Sequence, residues 1–157
     1  MPEASFNYTV QLEGFDEMAK RFRNSPDAVA KATKAGLDMA TLVVQGKAKE
    51  NAPVDKDTLR GSITRKVEGN EGRVGTNISY ARYQEEGTGI YGKRGAMIVP
   101  KNAQYLAFTP KGGSKIVFAK AVRGVRAKKF LQSGVEDLKG RMQQVKQKAF
   151  EILLKSI

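Results

Sequence analysis

The sequence predicts an α+β domain: a mainly antiparallel sheet of about four to five strands packed against a long central helix and a long C-terminal helix. Three observations lead there. Two long stretches carry apolar residues at steps of three and four, the period of a helix with one buried face. Two pairs of short strand-like runs flank glycine-rich turns, the pattern of hairpins. Strands and helices do not alternate regularly, which argues against a parallel βαβ sheet. The 157 residues fit a single domain over 1–157, long enough to bury a core.

In chain order, Phe6, Tyr8, Val10 and Leu12 alternate with polar residues and predict a half-buried strand that ends at Gly14. Phe15, Met18, Ala19 and Phe22 suit a short helix. Ser25-Pro26 reads as a cap followed by a proline in the first turn, and Pro53 closes the helix, which is placed at about 26–51. Its apolar stripe is Val29, Ala32, Gly36, Met39 and Val43, widened by Ala28, Ala35 and Leu42. The small residues Ala32, Ala35 and Gly36 would let another element approach closely. Residues 59–67 and 73–78 flank Gly69-Asn70-Glu71-Gly72 and predict one hairpin, and 105–109 and 115–119 flank Pro110-Lys111-Gly112-Gly113 and predict a second. Val135, Leu138, Met142, Val145, Ala149 and Ile152 then predict an amphipathic helix of at least five turns, packed on the sheet.

Composition excludes more than it selects. The chain has no cysteine and no histidine, which removes disulfides, thiol nucleophiles, His-based zinc sites, imidazole bases and the Ser-His-Asp triad. No apolar stretch approaches the ~18 residues that span a bilayer. The first ten residues lack the pattern of a signal peptide, so the expectation is a soluble chain that stays where it is made. The net charge of +12 is unevenly placed: residues 1–57 hold 8 Lys/Arg and 9 Asp/Glu, whereas 58–157 hold 20 and 7. Such asymmetry favours a polyanionic neighbour, nucleic acid first, contacted without sequence readout.

The stretch "YQEEGTGIYGKRGAMIVP" (83–100) has four glycines and no clear periodicity. It is not a Walker loop, because Gly92-Lys93 is followed by Arg94-Gly95 and leads into no helix. Adjacent Glu85 and Glu86 diverge in a strand or loop and suit loop amides or a neighbouring arginine better than acid–base chemistry. No catalytic, cofactor or metal residue is assigned, and the chain is not expected to be an enzyme. Lys120, Arg123, Arg126, Lys128 and Lys129 form a basic cluster ahead of the last helix, a candidate for phosphates or an acidic partner.

Four stretches together carry a resemblance. "APVDKDTLRGSI" (52–63) resembles a helix-ending Ala-Pro, a spacer, Leu-Arg and Ser-Ile, and "VGTNISYARYQEEGT" (74–88) resembles Val-Gly-Thr, Tyr-Ala, Glu-x-Gly-Thr. "IVPKNAQYLAF" (98–108) and "VRAKKFL" (125–131) resemble a later strand and the approach to the last helix. In this order they resemble the neck-protein family of tailed double-stranded DNA phages, which includes tail-completion and head–tail joining proteins, often prophage-encoded. The resemblance covers about 30–135. Asp57-Thr58 stands where Thr-Gly often precedes Leu-Arg, and Lys128-Lys129 stands where Arg-Pro often precedes Phe-Leu.

The resemblance implies a structural virion protein without catalysis. It implies a homo-oligomeric ring, six- or twelve-fold, around the path of double-stranded DNA. Its neighbours would be head-closure or tail-terminator and tail-tube proteins. Its location would be the virion neck or tail, with the host cytoplasm during assembly. The alternative function is a stand-alone, sequence-nonspecific nucleic-acid-binding protein. In a ring protein the loop at about 84–102 is expected to be a mobile arm that orders against a neighbour. Gly87, Gly89, Ile90, Tyr91, Lys93, Arg94, Met97 and Ile98 are its candidate residues.

Overall fold

The computed structural model describes residues 15–54, 58–110 and 112–156. The strand expected at Phe6, Tyr8, Val10 and Leu12 lies outside the described residues. The chain runs through α1 (Phe15–Arg23), α2 (Pro26–Asn51), α3 (Thr58–Ser62), β1 (Thr64–Glu68), β2 (Glu71–Gly75), α4 (Ala81–Glu86), a 3-10 turn (Gly89–Tyr91), β3 (Leu106–Phe108), β4 (Val117–Ala119) and α5 (Phe130–Ser156). The class is α+β, as expected.

The sheet is not as expected. The described strands form two separate antiparallel hairpins, β1–β2 and β3–β4, rather than one sheet of four to five strands. Two local reasons account for this. Residues 59–62, expected to begin a strand, form the helical turn α3. After β2, α4 and the loop beyond it carry the chain to the start of α5. The first hairpin rests on α2, whereas the second pairs with itself.

The long helices meet the sequence reading at their ends. α2 spans Pro26–Asn51, and its C-terminal cap is Ala52, whose N–H donates to the Ala48 carbonyl. Ser25 takes the N-cap position, yet its hydroxyl makes no capping bond. The buried stripe is rotated from the expected one: Ala28, Ala32, Thr41, Val44 and Ala48 are buried, while Val29 and Leu42 are exposed. The main partner on this face is α5 rather than the sheet, and the α2–α5 pair is the largest contact in the fold. The helices run antiparallel and approach closely where side chains are smallest. A Cβ built on Gly36 would lie 3.2 Å from the Ala149 Cβ, and one on Gly134 would lie 2.6 Å from the Val44 carbonyl oxygen. The small residues of α2 therefore do admit a close neighbour.

The densest packing lies where α2 ends and α5 begins. Ala48, Ala52, Leu59, Ile63, Ala81 and Phe130 form it, flanked by Val74, Ile78 and Leu131. Toward the other end the pair opens into an apolar groove of about 740 Å³, lined among others by Leu37, Val74, Leu138, Met142 and Leu153. Most of the expected α5 seam sits there half-buried, and Val135 is exposed. No helix among the described residues is long and apolar enough to cross a membrane.

Candidate functional site

Three of the four sequence motifs, 52–63, 74–88 and 125–131, converge in space. Ser62 of the first and Thr76 of the second bring their hydroxyl oxygens to 2.6 Å. Glu85 reaches from α4 to the start of α5, where its two carboxylate oxygens accept the backbone N–H groups of Leu131 and Gln132, each at 2.9 Å. Those amides belong to the first helical turn and have no partner inside the helix, and a carboxylate there also complements the helix dipole. Thr88 Oγ1 accepts the N–H of Val125 at 2.9 Å. The motifs thus tie the chain's middle to the start of its last helix. Because α4 is helical, Glu85 and Glu86 diverge around a helix rather than in a strand or loop. Glu85→Ala is expected to cost about 1–2 kcal/mol, the scale of a lost N-cap. Urea unfolding measures it, and a loss under ~0.3 kcal/mol would mean that water replaces the cap.

Glu86 points the other way. Partial desolvation pushes its carboxyl up, but Lys93 and Arg82 together outweigh that and hold it below the usual carboxylate range. Lys93 Nζ lies 3.4 Å from Glu86 Oε2 and Arg82 Nε lies 3.3 Å from it. Lys93, one of the expected arm cations, is therefore engaged within the chain.

The expected arm divides into two parts. Its base is pinned to the segment before α5. Thr88 N–H donates to the Val125 carbonyl at 2.8 Å, Ile90 N–H donates to Arg123 at 2.9 Å, and Ile98 and Val122 exchange both bonds at 2.9 Å. Glycine makes this pairing possible. Gly89 and Gly124 have φ of 62° and 87°, and a Cβ on either would lie 2.1 or 2.3 Å from a carbonyl oxygen of the opposite strand. Between these base contacts Arg94 and Met97 are exposed, as is the side chain of Ile98 within the base. For the loop at about 84–102, slow hydrogen exchange is expected at Thr88, Ile90 and Ile98, and fast exchange at Lys93 to Gly95. Uniformly fast exchange across the loop would mean that the base pairing does not persist in solution.

All five residues of the basic cluster, Lys120, Arg123, Arg126, Lys128 and Lys129, are exposed. None of them forms an ion pair among the described residues, and Arg126 lies over the Tyr91 ring at 5.2 Å. The cluster sits on the same excursion as the arm. Residues 87–129 hold ten Lys/Arg and no Asp/Glu, while the other 114 residues hold 18 and 16. Nearly all of the net charge therefore leaves the body of the fold on this one segment, a concentration that the split at residue 57 only partly showed. Lys129 has φ of 50°, a conformation closed to proline, so this chain makes its turn into α5 differently from the Arg-Pro form. Lys129→Pro is expected to destabilise by about 3 kcal/mol, read as a lowered urea midpoint. An unchanged midpoint would show that the turn can adopt the Arg-Pro geometry.

Among the described residues no group of His, Cys, Asp or Glu is placed to hold a metal ion. Residues 16–87 match the HK97-gp10-like family model, described as "Bacteriophage HK97-gp10, putative tail-component". The matched segment includes the first motif and all but the last residue of the second, and the later two lie beyond it. Over residues 16–87 this match supports the resemblance to a tailed-phage protein family. No curated protein and no solved structure matches the chain.

Proposed function

We propose, from the match to a phage tail component over residues 16–87, that this chain is a non-catalytic structural protein of a phage tail or neck. It assembles as a six- or twelve-fold ring around the DNA path, in contact with head-closure or tail-terminator and tail-tube proteins. The observation that carries the assembly is surface area. The chain exposes 12495 Å², whereas a compact 17.2 kDa monomer exposes about 7,800 Å². Nineteen residues lie outside the described set. Allowing them the full exposure of an unfolded chain removes about 3,000 Å², and what remains still exceeds by about 2,400 Å² the roughly 7,100 Å² that a compact chain of the other 138 residues would expose. A ring subunit loses about 800 Å² at each of two faces, so the excess is of the size that two neighbours would cover.

Mass measurement of the purified protein, alone and with tail tube or connector, tests this reading. A closed oligomer, formed alone or on the partner, is expected. A monomer under every condition that binds duplex DNA tightly would instead favour the second reading, a stand-alone nonspecific nucleic-acid binder, which the exposed basic cluster supports. In either case the cluster's contacts are to phosphates. Reversing Lys120, Arg123 and Lys128 to Glu is expected to reduce the salt slope of DNA binding by about three units, one per lost contact. An unchanged slope would show that the cluster does not touch DNA.

A further inference from the structure

The hairpin β3–β4 is apolar on both of its faces. Cross-strand partners share a face, and the register pairs Leu106 with Ala119, Ala107 with Phe118 and Phe108 with Val117. By the two-residue period, Tyr105 and Ile116 join Ala107 and Phe118 on one face. The strands "YLAF" and "IVFA" are thus unbroken apolar runs, the signature of strands covered on both sides. Only Leu106 and Ala119 are half-buried. Phe118 is 67% exposed and Ile116 63%, with Tyr105, Met97 and Val99 exposed nearby. A lone two-stranded hairpin is marginal in water, yet the base pairing at Thr88, Ile90 and Ile98 holds this one in a fixed direction. That preorganisation reduces the ordering cost of binding.

We propose that the 97–119 hairpin arm is a docking element for a different protein of the phage particle, one that presents an acidic surface with an apolar cleft. This rests on the reading of the chain as a tail or neck component. The charge decides the partner. The 97–119 arm carries three lysines, Lys101, Lys111 and Lys115, and no carboxylate; seven more cations flank it within 87–129, and the chain outside that segment is nearly neutral. A second copy offers this arm no net counter-charge, and two arms meeting would bring six lysines together without a carboxylate. Duplex DNA supplies the negative charge but little apolar surface for Ile116, Phe118 and Val99. An acidic protein cleft satisfies both the arm's three lysines and its apolar face, which gives fast, steered encounter as well as burial.

Photo-crosslinking in assembled particles tests it. Phe118→p-benzoylphenylalanine places the reactive group on the open face, and mass spectrometry identifies the cross-linked peptide. The expected result is a peptide rich in Asp and Glu from another particle protein. In parallel, Phe118→Glu is expected to lower incorporation into particles at least tenfold, the effect of losing an interface anchor, with an unchanged melting temperature because the side chain is exposed. A cross-link to a second copy or to DNA, no cross-link from incorporated protein, or full incorporation of Phe118→Glu overturns the inference and leaves the tail-component reading intact. Absence of the wild-type chain from particles overturns both.

Discussion

Phe130→Ala is expected to lower stability by about 3–5 kcal/mol, the range for truncating a fully buried phenylalanine. Phe130 has no exposed surface and packs with Ala48, Ala52, Leu59, Ile63 and Ala81. These neighbours come from α2, α3 and α4, and from the segments that join them. The ring therefore fills the place where the start of α5 meets α2, α3 and α4. The alanines around it are small and cannot collapse into the space, so the cavity persists and the cost falls toward the upper end. Leu138→Ala, on the half-buried seam of the same helix, should cost clearly less because it faces an open groove. Denaturant midpoints of the two variants give the comparison. Equal losses would mean that the groove is as closed in solution as the packing around Phe130.

What could be read in the sequence was local, and what could not was pairing at a distance. α2 was legible to the residue because Pro26 and Pro53 punctuate it from outside. The two hairpins were legible because glycine-rich turns separate β-rich runs. Whether hairpins join into one sheet depends on the path between them, and that path contains α4. Ala81–Glu86 is only six residues long, too short to show a helical period. The role of Glu85 was hidden for the same reason, since its partners lie more than forty residues away, at Leu131 and Gln132. The arm was legible as an excursion, and Gly87 and Gly89 were singled out in it. Their use could not be read, because it involves a distant segment at 122–125 whose Gly124 carries no local sign of pairing. The candidate arm residues included the apolar Ile90, Tyr91, Met97 and Ile98, whereas the most exposed large apolar side chains are Ile116 and Phe118 of the second hairpin, which were not singled out.

Gly89→Ala and Gly124→Ala are expected to release the arm from the body while leaving the helix pair folded. Each glycine occupies a left-handed conformation, and each faces the other's strand. A Cβ at 89 would lie 2.1 Å from the Arg123 carbonyl oxygen, and one at 124 would lie 2.3 Å from that of Thr88. Backbone cannot step aside as a flexible side chain would, so the strands must separate. The expected cost is about 1–3 kcal/mol for the overlap plus about 1–2 kcal/mol for the backbone conformation. Gly95→Ala isolates the second part, because Gly95 also has positive φ, 60°, with nothing within 4 Å of its Cβ. Loss of the base bonds at Thr88 and Ile90 would be complete after either substitution, so the double variant should cost little more than one alone, a coupling that independent sites do not show. Hydrogen exchange should then rise at Thr88, Ile90, Ile98 and Val122 but stay slow within α2 and α5. Full additivity of the two substitutions, or unchanged exchange at Thr88 and Ile90, would show that the base tolerates a wider spacing. The arm would then owe its direction to something other than these two glycines.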